Sequence, residues 1–189
     1  MYLIVGLGNP DKKYHNTYHN VGFKCLDAFA SLLKCEFNKG ECRAITAHAS
    51  IKGERVILAK PITYMNLSGE SVLELVNKYK IEKGHLALCY DDADIPLGDL
   101  RIRFCGSGGT HNGANNVIKC LQTEDFVRFR VGIGQTETPL ADYVLSEIPQ
   151  KDMEFLSETF DSTAKALYEF CMGHPIQKIM GKYNKKQKI

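Results

Sequence analysis

Tyr2-Leu3-Ile4-Val5-Gly6-Leu7-Gly8-Asn9-Pro10 opens the chain and decides its fold class. Four apolar residues in a row read as a short strand buried on both faces, and the Gly-Leu-Gly-Asn-Pro break ends it sharply. From Asn20 to Lys34, Phe23, Leu26, Phe29, Ala30 and Leu33 keep a helical period, so the chain passes from buried strand through a turn into an amphipathic helix. Asn9 then lies at the carboxyl end of a strand, where open α/β sheets place their ligands. Gly6-Leu7-Gly8 also suggests a dinucleotide fingerprint, but its third glycine should fall at Asp11, and Pro10 obstructs the helix start that a pyrophosphate needs. No cofactor is therefore expected.

The rest of the chain continues the α/β pattern. Glu41 to Ala49 and Arg55 to Ala59 flank the Lys52-Gly53 turn as an antiparallel hairpin ended by Pro61. Val72, Leu75, Val76 and Tyr79 predict a second helix, with Asn66 or Ser68 near its start as capping side chains. Leu86 to Cys89 is an apolar strand that runs into Asp91-Asp92-Ala93-Asp94. Leu100, Ile102 and Phe104 alternate with Arg101 and Arg103, which places two guanidiniums on one strand face. Val117, Ile118 and Leu121 mark a short helix, Phe129 to Ile133 a further strand, and Pro139 to Pro149 a loop or short lid. Met153, Leu156, Phe160, Ala164, Leu167 and Cys171 predict a long amphipathic helix stopped by Gly173. With no repeat, low-complexity block or linker, residues 1–189 are expected to form a single α/β domain, a mixed twisted sheet flanked by helices.

Composition narrows the function classes. A formal charge of +2 does not announce a nucleic-acid binder, but five lysines and no acid fall from Ile176 onward, leaving −3 on the rest. This segment reads as a basic, solvated tail. Seven scattered cysteines without a C-x-x-C pair disfavour a zinc ribbon, a redox motif and a secreted disulfide scaffold. The start on strand residues and the absence of an apolar run near ~20 residues predict neither signal peptide nor membrane span, and a cytoplasmic setting.

Several polar clusters could carry chemistry. His15 and His19 have metal-ligand spacing, but no glutamate lies between them and no third ligand is evident. His19, followed by Asn20 and Gly22, is a competent general base if a carboxylate from another strand end fixes its tautomer. Met65-Asn66-Leu67-Ser68-Gly69 reads, on the residues alone, as a helix cap. The acids at 91, 92 and 94 admit a Mg²⁺ site, a solvated loop or the partner of a base, and the residues alone leave these open. Gly106-Ser107-Gly108-Gly109-Thr110-His111-Asn112-Gly113 can expose backbone N–H groups to an oxyanion, but it is not a P-loop. No G-x-S-x-G elbow occurs, so hydrolytic chemistry here would use water rather than a covalent nucleophile.

Taken in order, Gly6-Leu7-Gly8-Asn9-Pro10, Tyr14-x-x-Thr17-x-His19-Asn20-x-Gly22, Thr63-Tyr64-Met65-Asn66-Leu67-Ser68-Gly69, Tyr90-Asp91-Asp92, His111-Asn112-Gly113 and Arg130-Val131-Gly132-Ile133-Gly134 resemble bacterial peptidyl-tRNA hydrolases over nearly the whole chain. The resemblance implies hydrolysis of the ester joining a peptide to the tRNA 3′ ribose, without metal or cofactor, by a monomer. It implies His19 as the base that activates water and Asp91 as its orienting carboxylate. Asn9, Asn66 and Asn112, with Tyr14, Tyr64, Met65 and His111, would hold or shape the substrate. Arg101 and Arg103, and more weakly Arg130, would meet tRNA phosphate.

Three positions depart from the family pattern. Tyr18 replaces a usual Arg, displacing any helping role of that Arg. Thr110 replaces a usual Gly, which is expected to alter the backbone angles of the glycine-rich loop. Ala114-Asn115 replaces an aliphatic residue and a Lys or Arg, removing one phosphate contact. The competing reading is a non-catalytic RNA-binding protein on the same scaffold, similar to organellar splicing factors; His19 and Asp91 favour the enzyme.

Overall fold

The computed structural model describes residues 1–184. Strand β1 (Tyr2–Gly6) is wholly buried, as its apolar run requires, and occupies the centre of a seven-stranded sheet. The other strands are β2 (Lys39–Glu41), β3 (Ala44–Ile51), β4 (Glu54–Pro61), β5 (Leu86–Asp92), β6 (Leu100–Arg103) and β7 (Val127–Gly132), in the spatial order β2-β3-β4-β1-β5-β7-β6. Strands β4, β1, β5 and β7 run parallel, so their carboxyl ends share one edge; β2, β3 and β6 are antiparallel to their neighbours. Lys52 and Gly53, at φ 49° and 86°, make the tight turn that joins β3 to β4.

Helices cover both faces. Helix α1 (Val21–Leu33) packs against the long α5 (Gln150–Cys171) on one face; α2 (Ser68–Tyr79) packs against α3 (Asn112–Leu121) on the other. Two apolar layers result, one holding Ile4, Phe29, Phe129 and Leu167, the other Leu3, Val5, Leu75 and Val117. Each such side chain, fully buried, contributes about 1.5–3 kcal/mol. Gly22 sets how closely α1 meets the sheet. A Cβ there would lie 2.3 Å from the Cys89 carbonyl oxygen and 2.5 Å from that of Leu7, so a side chain would push the helix, and the residues just before it, off the strand ends.

Two segments differ from the sequence-based expectation. Residues 139–149 are not simply a loop: Leu140–Leu145 form a short helix, α4, which sets Val144 into the core. The basic stretch is not a free end from residue 176. Ile176–Tyr183 form α6, anchored by the fully buried Ile179 and by Lys182 on Glu169. Asn184 then bonds both backbone groups of Ile102, accepting from its N–H at 2.6 Å and donating to its carbonyl at 3.2 Å. This blunts the edge of β6. Lys185, Lys186 and Lys188 lie outside the described residues. Phe104 falls beyond the end of β6 and is exposed.

Candidate active site

Every parallel strand delivers a polar group to the shared edge. Asn9, just past β1, is clasped by Asn20: the Asn9 N–H donates to Asn20 Oδ1 and Asn20 Nδ2 donates to the Asn9 carbonyl, each at 2.9 Å. The Asn9 side-chain oxygen accepts from the Met65 N–H at 3.0 Å, which fixes the amide orientation and leaves Nδ2 as its unspent donor. Met65 arrives there because Tyr64, following β4, takes φ 59°, uncommon for so bulky a residue.

Asp91, near the end of β5, is the centre of the site. Its carboxylate is 3% exposed and receives two imidazoles: His19 Nδ1 lies 3.0 and 3.1 Å from its two oxygens, and His111 Nε2 lies 3.1 Å from Oδ1. The bond network settles both tautomers. His111 caps α3 by accepting the Ala114 N–H at its Nδ1, so its proton is on Nε2 and points to Asp91. His19 donates from Nδ1, leaving Nε2 as a bare acceptor. Burial alone would raise the Asp91 pKa, but the fields and hydrogen bonds of His19 and His111 outweigh it and hold the carboxyl well below its ordinary range.

Two clefts meet at His19. One is lined by Asp92, Thr110, His111, Asn112, Arg130 and Val144. The other, of about 320 Å³, is lined by Asn9, Tyr64, Met65, Asn66, Asn112 and Leu145. The structure thus gathers His19, Asp91, His111, all three asparagines, Tyr64 and Met65. Tyr14 is half-buried and lines neither cleft; its carbonyl accepts the Thr17 hydroxyl at 2.9 Å.

The arginines share a face, as register demands. Arg101 pairs across β6 and β7 with Arg130, and Arg103 with Arg128. Arg101 and Arg103 are half-buried. Arg130 comes already paired with Asp92, at 2.5 Å from both Nε and Nη2. Arg128 was not anticipated, because the expected strand began at Phe129, whereas β7 starts at Val127 and includes it. It is 1% exposed, bonds the Glu124 and Phe126 carbonyls through Nη1, and keeps Nε and Nη2 unpartnered.

The departures acquire physical meaning. Tyr18 turns away from the cleft: its hydroxyl donates to Asp152 Oδ2 at 2.5 Å and its ring packs 4.6 Å from that of Tyr143 on α4. It ties the His19 segment to α4, which walls the cleft, and to the start of α5. Thr110 does not force the loop, because Gly106 and Gly109 carry its positive φ angles, 132° and 57°. Asn115 donates to the Gly109 carbonyl at 2.9 Å and so braces the same loop.

His19, Asp91 and His111 are also the one set of described residues whose ligand atoms, all within 4.8 Å, could surround a metal ion. As placed, those atoms bond to one another, the carboxylate lying between the imidazoles.

Fold and site together define a class: an α/β domain with an acid–base centre, one free imidazole nitrogen and a ring of neutral amides at the carboxyl ends of its parallel strands. The family model for peptidyl-tRNA hydrolase matches residues 3–189. The peptidyl-tRNA hydrolases of Alkaliphilus oremlandii and Alkaliphilus metalliredigens are 43% and 46% identical to it over 185 residues, covering 97% of this chain and all of theirs. A crystal structure of the peptidyl-tRNA hydrolase from Acinetobacter baumannii superposes with a TM-score of 0.92 at 28% identity, covering 97% of this chain and 94% of that one. The chain belongs to the peptidyl-tRNA hydrolase family.

Proposed function

We infer that the protein hydrolyses the ester between peptide and tRNA with a water activated by His19. The observation that carries this reading is the allocation of hydrogen bonds. Asp91 accepts a hydrogen bond from the Nδ1–H of His19, and Nε2 remains free in a residue that borders both clefts. Water delivers its oxygen to the ester carbonyl carbon as Nε2 takes a proton. The tetrahedral oxyanion collapses, the bond to the ribose oxygen breaks, and the imidazolium returns the proton to that oxygen. Free tRNA and the peptide acid result. Asp91 stabilises the imidazolium, and His111 holds Asp91 in place.

Asn9, whose Nδ2 is oriented by the Met65 bond, supplies a donor to the carbonyl oxygen or the oxyanion. Asn66 and Asn112 hold the peptide end and the water, beside Tyr64 and Met65. Arg101 and Arg103 meet phosphates of the acceptor end; at Arg130 a phosphate must compete with Asp92. The chain acts as a cytoplasmic monomer; its seven cysteines are all free thiols, the state a reducing compartment maintains.

The test offers N-acetylated aminoacyl-tRNA and free aminoacyl-tRNA in parallel, with and without EDTA. Cleavage of the first, sparing of the second and indifference to chelator are expected, because a free ammonium is poorly received among neutral amides. Binding without cleavage of either would establish the RNA-binding alternative.

A further inference from the structure

A substrate esterified at His19 has two arms that must leave in different directions. The arginine face lies on β6 and β7, at one edge of the sheet. On the other side of α3 a shallow groove runs between α3 and the start of α2, lined by Asn66, Asn112, Asn115, Asn116 and Lys119. It is continuous with the catalytic cleft, which shares Asn66 and Asn112 with it. The four lining residues of α3 stand at i, i+3, i+4 and i+7, one helical stripe.

The chemistry of that stripe suits a peptide. Asn116 spends its oxygen on the Gly69 N–H at 2.7 Å, leaving its amide nitrogen for the groove. Asn66 and Asn112 are exposed and can each donate to and accept from a peptide group without reading its side chain. An RNA strand would ask for a cation at nearly every phosphate, and the groove lining offers one. Lys119 is exposed and carries no carboxylate partner among the described residues. Seven residues of helix place it about 10 Å beyond Asn112. An extended peptide covers that span in roughly three residues.

The geometry points to this groove as the seat of the third and fourth peptide residues counted back from the ester, with Lys119 selecting acidic side chains there. This rests on the hydrolase reading above and names the selectivity of its peptide arm. Three substrates on one tRNA test it: acetyl-Glu-Glu-Ala-Ala-, acetyl-Ala-Ala-Ala-Ala- and acetyl-Lys-Lys-Ala-Ala-tRNA. At low salt, kcat/KM should favour Glu over Lys by about two- to fivefold, the scale of an exposed ion pair. Half-molar salt should flatten the ratio. Lys119→Ala should abolish the preference and Lys119→Glu should reverse it. The ratio cancels any general loss in a variant. An unchanged ratio in Lys119→Glu would overturn the proposal, and so would an equal loss on all three substrates, which would assign the groove to RNA. Wild-type protein that cleaves none of the three would instead remove the hydrolase reading itself.

Discussion

Among the described residues, two buried carboxylates each hold a histidine, and of the two only Asp91 lines one of the clefts that meet at His19. Asp91 is 3% exposed and meets two imidazoles; Glu41, on β2, is 4% exposed and meets His48 Nε2 at 2.7 Å. Glu41 also receives Lys78 and Tyr79, each at 2.6 Å, the Thr46 hydroxyl at 2.8 Å and, at 3.2 Å, Lys39. Its charge is therefore spent on cations and donors that fasten the sheet edge to α2. Asp91 has no such cation, because the nearby Arg130 is taken by Asp92. The charge of Asp91 remains available to stabilise an imidazolium at His19. A carboxylate–histidine pair becomes catalytic equipment when its charge is uncompensated and its outer nitrogen borders a cleft.

The sharpest way to break this contrast is to remove both histidines in turn. His19→Ala should lower kcat on N-acetylated aminoacyl-tRNA by about 10³-fold, within the range for loss of a general base, with tRNA affinity nearly intact. His48→Ala should stay within about twofold, as expected of a residue outside the chemistry. Substantial turnover surviving in His19→Ala, with a loss in His48→Ala instead, would invert the assignment.

A smaller effect separates the cations. Arg101 and Arg103 carry no carboxylate at ion-pair distance among the described residues, whereas Lys78 is occupied by Glu41. Arg101→Glu with Arg103→Glu should weaken tRNA substrates by roughly tenfold or more and make the salt dependence shallower by about 1 to 2 log units per log unit of salt. A minimal ester on a short nucleotide should be hardly affected. Lys78→Ala should leave the salt slope unchanged. Equal losses on the long and the minimal substrate would mean that the arginines support the cleft rather than bind phosphate.

The contrast also explains what was legible in the sequence. β1, the Lys52-Gly53 turn and the long α5 were readable because local patterning and burial agree there. Asn9 and Asp91 lie just past or at strand ends, so their neighbourhood followed from topology, whereas Asn66 read as a helix cap and took its role from the resemblance alone. The His19–Asp91 contact spans 72 residues, and no local pattern encodes it. The helices α4 and α6 were hidden for a different reason. Proline-flanked segments with exposed polar faces look like loops, and only tertiary anchors such as Val144 and Ile179 show otherwise. Arg128 was missed because the expected strand began one residue later, at Phe129; the connection from α3 to β7 wraps it, with the Glu124 and Phe126 carbonyls on Nη1. Lys119 lay in a segment read for its apolar residues alone.

The smallest expected effect concerns acid. Burial alone would raise the pKa of Glu41, but hydrogen bonds from Lys78, Tyr79, Thr46 and His48 outweigh it and hold the carboxyl well below its ordinary 4.5. A group whose pKa is depressed by folding stabilises the fold above its unfolded value and loses that contribution as pH falls through the folded one. Glu41→Gln should therefore lower the urea midpoint at pH 7, and the gap from wild type should narrow as pH drops below about 4. Hydrolysis by the folded variant at pH 7 should stay within about twofold of wild type, since Glu41 lines neither of the two clefts described at His19. A gap that persisted unchanged to pH 3 would show that Glu41 acts through packing rather than charge. A folded Glu41→Gln with lost turnover would join the two carboxylate networks and end the distinction between them.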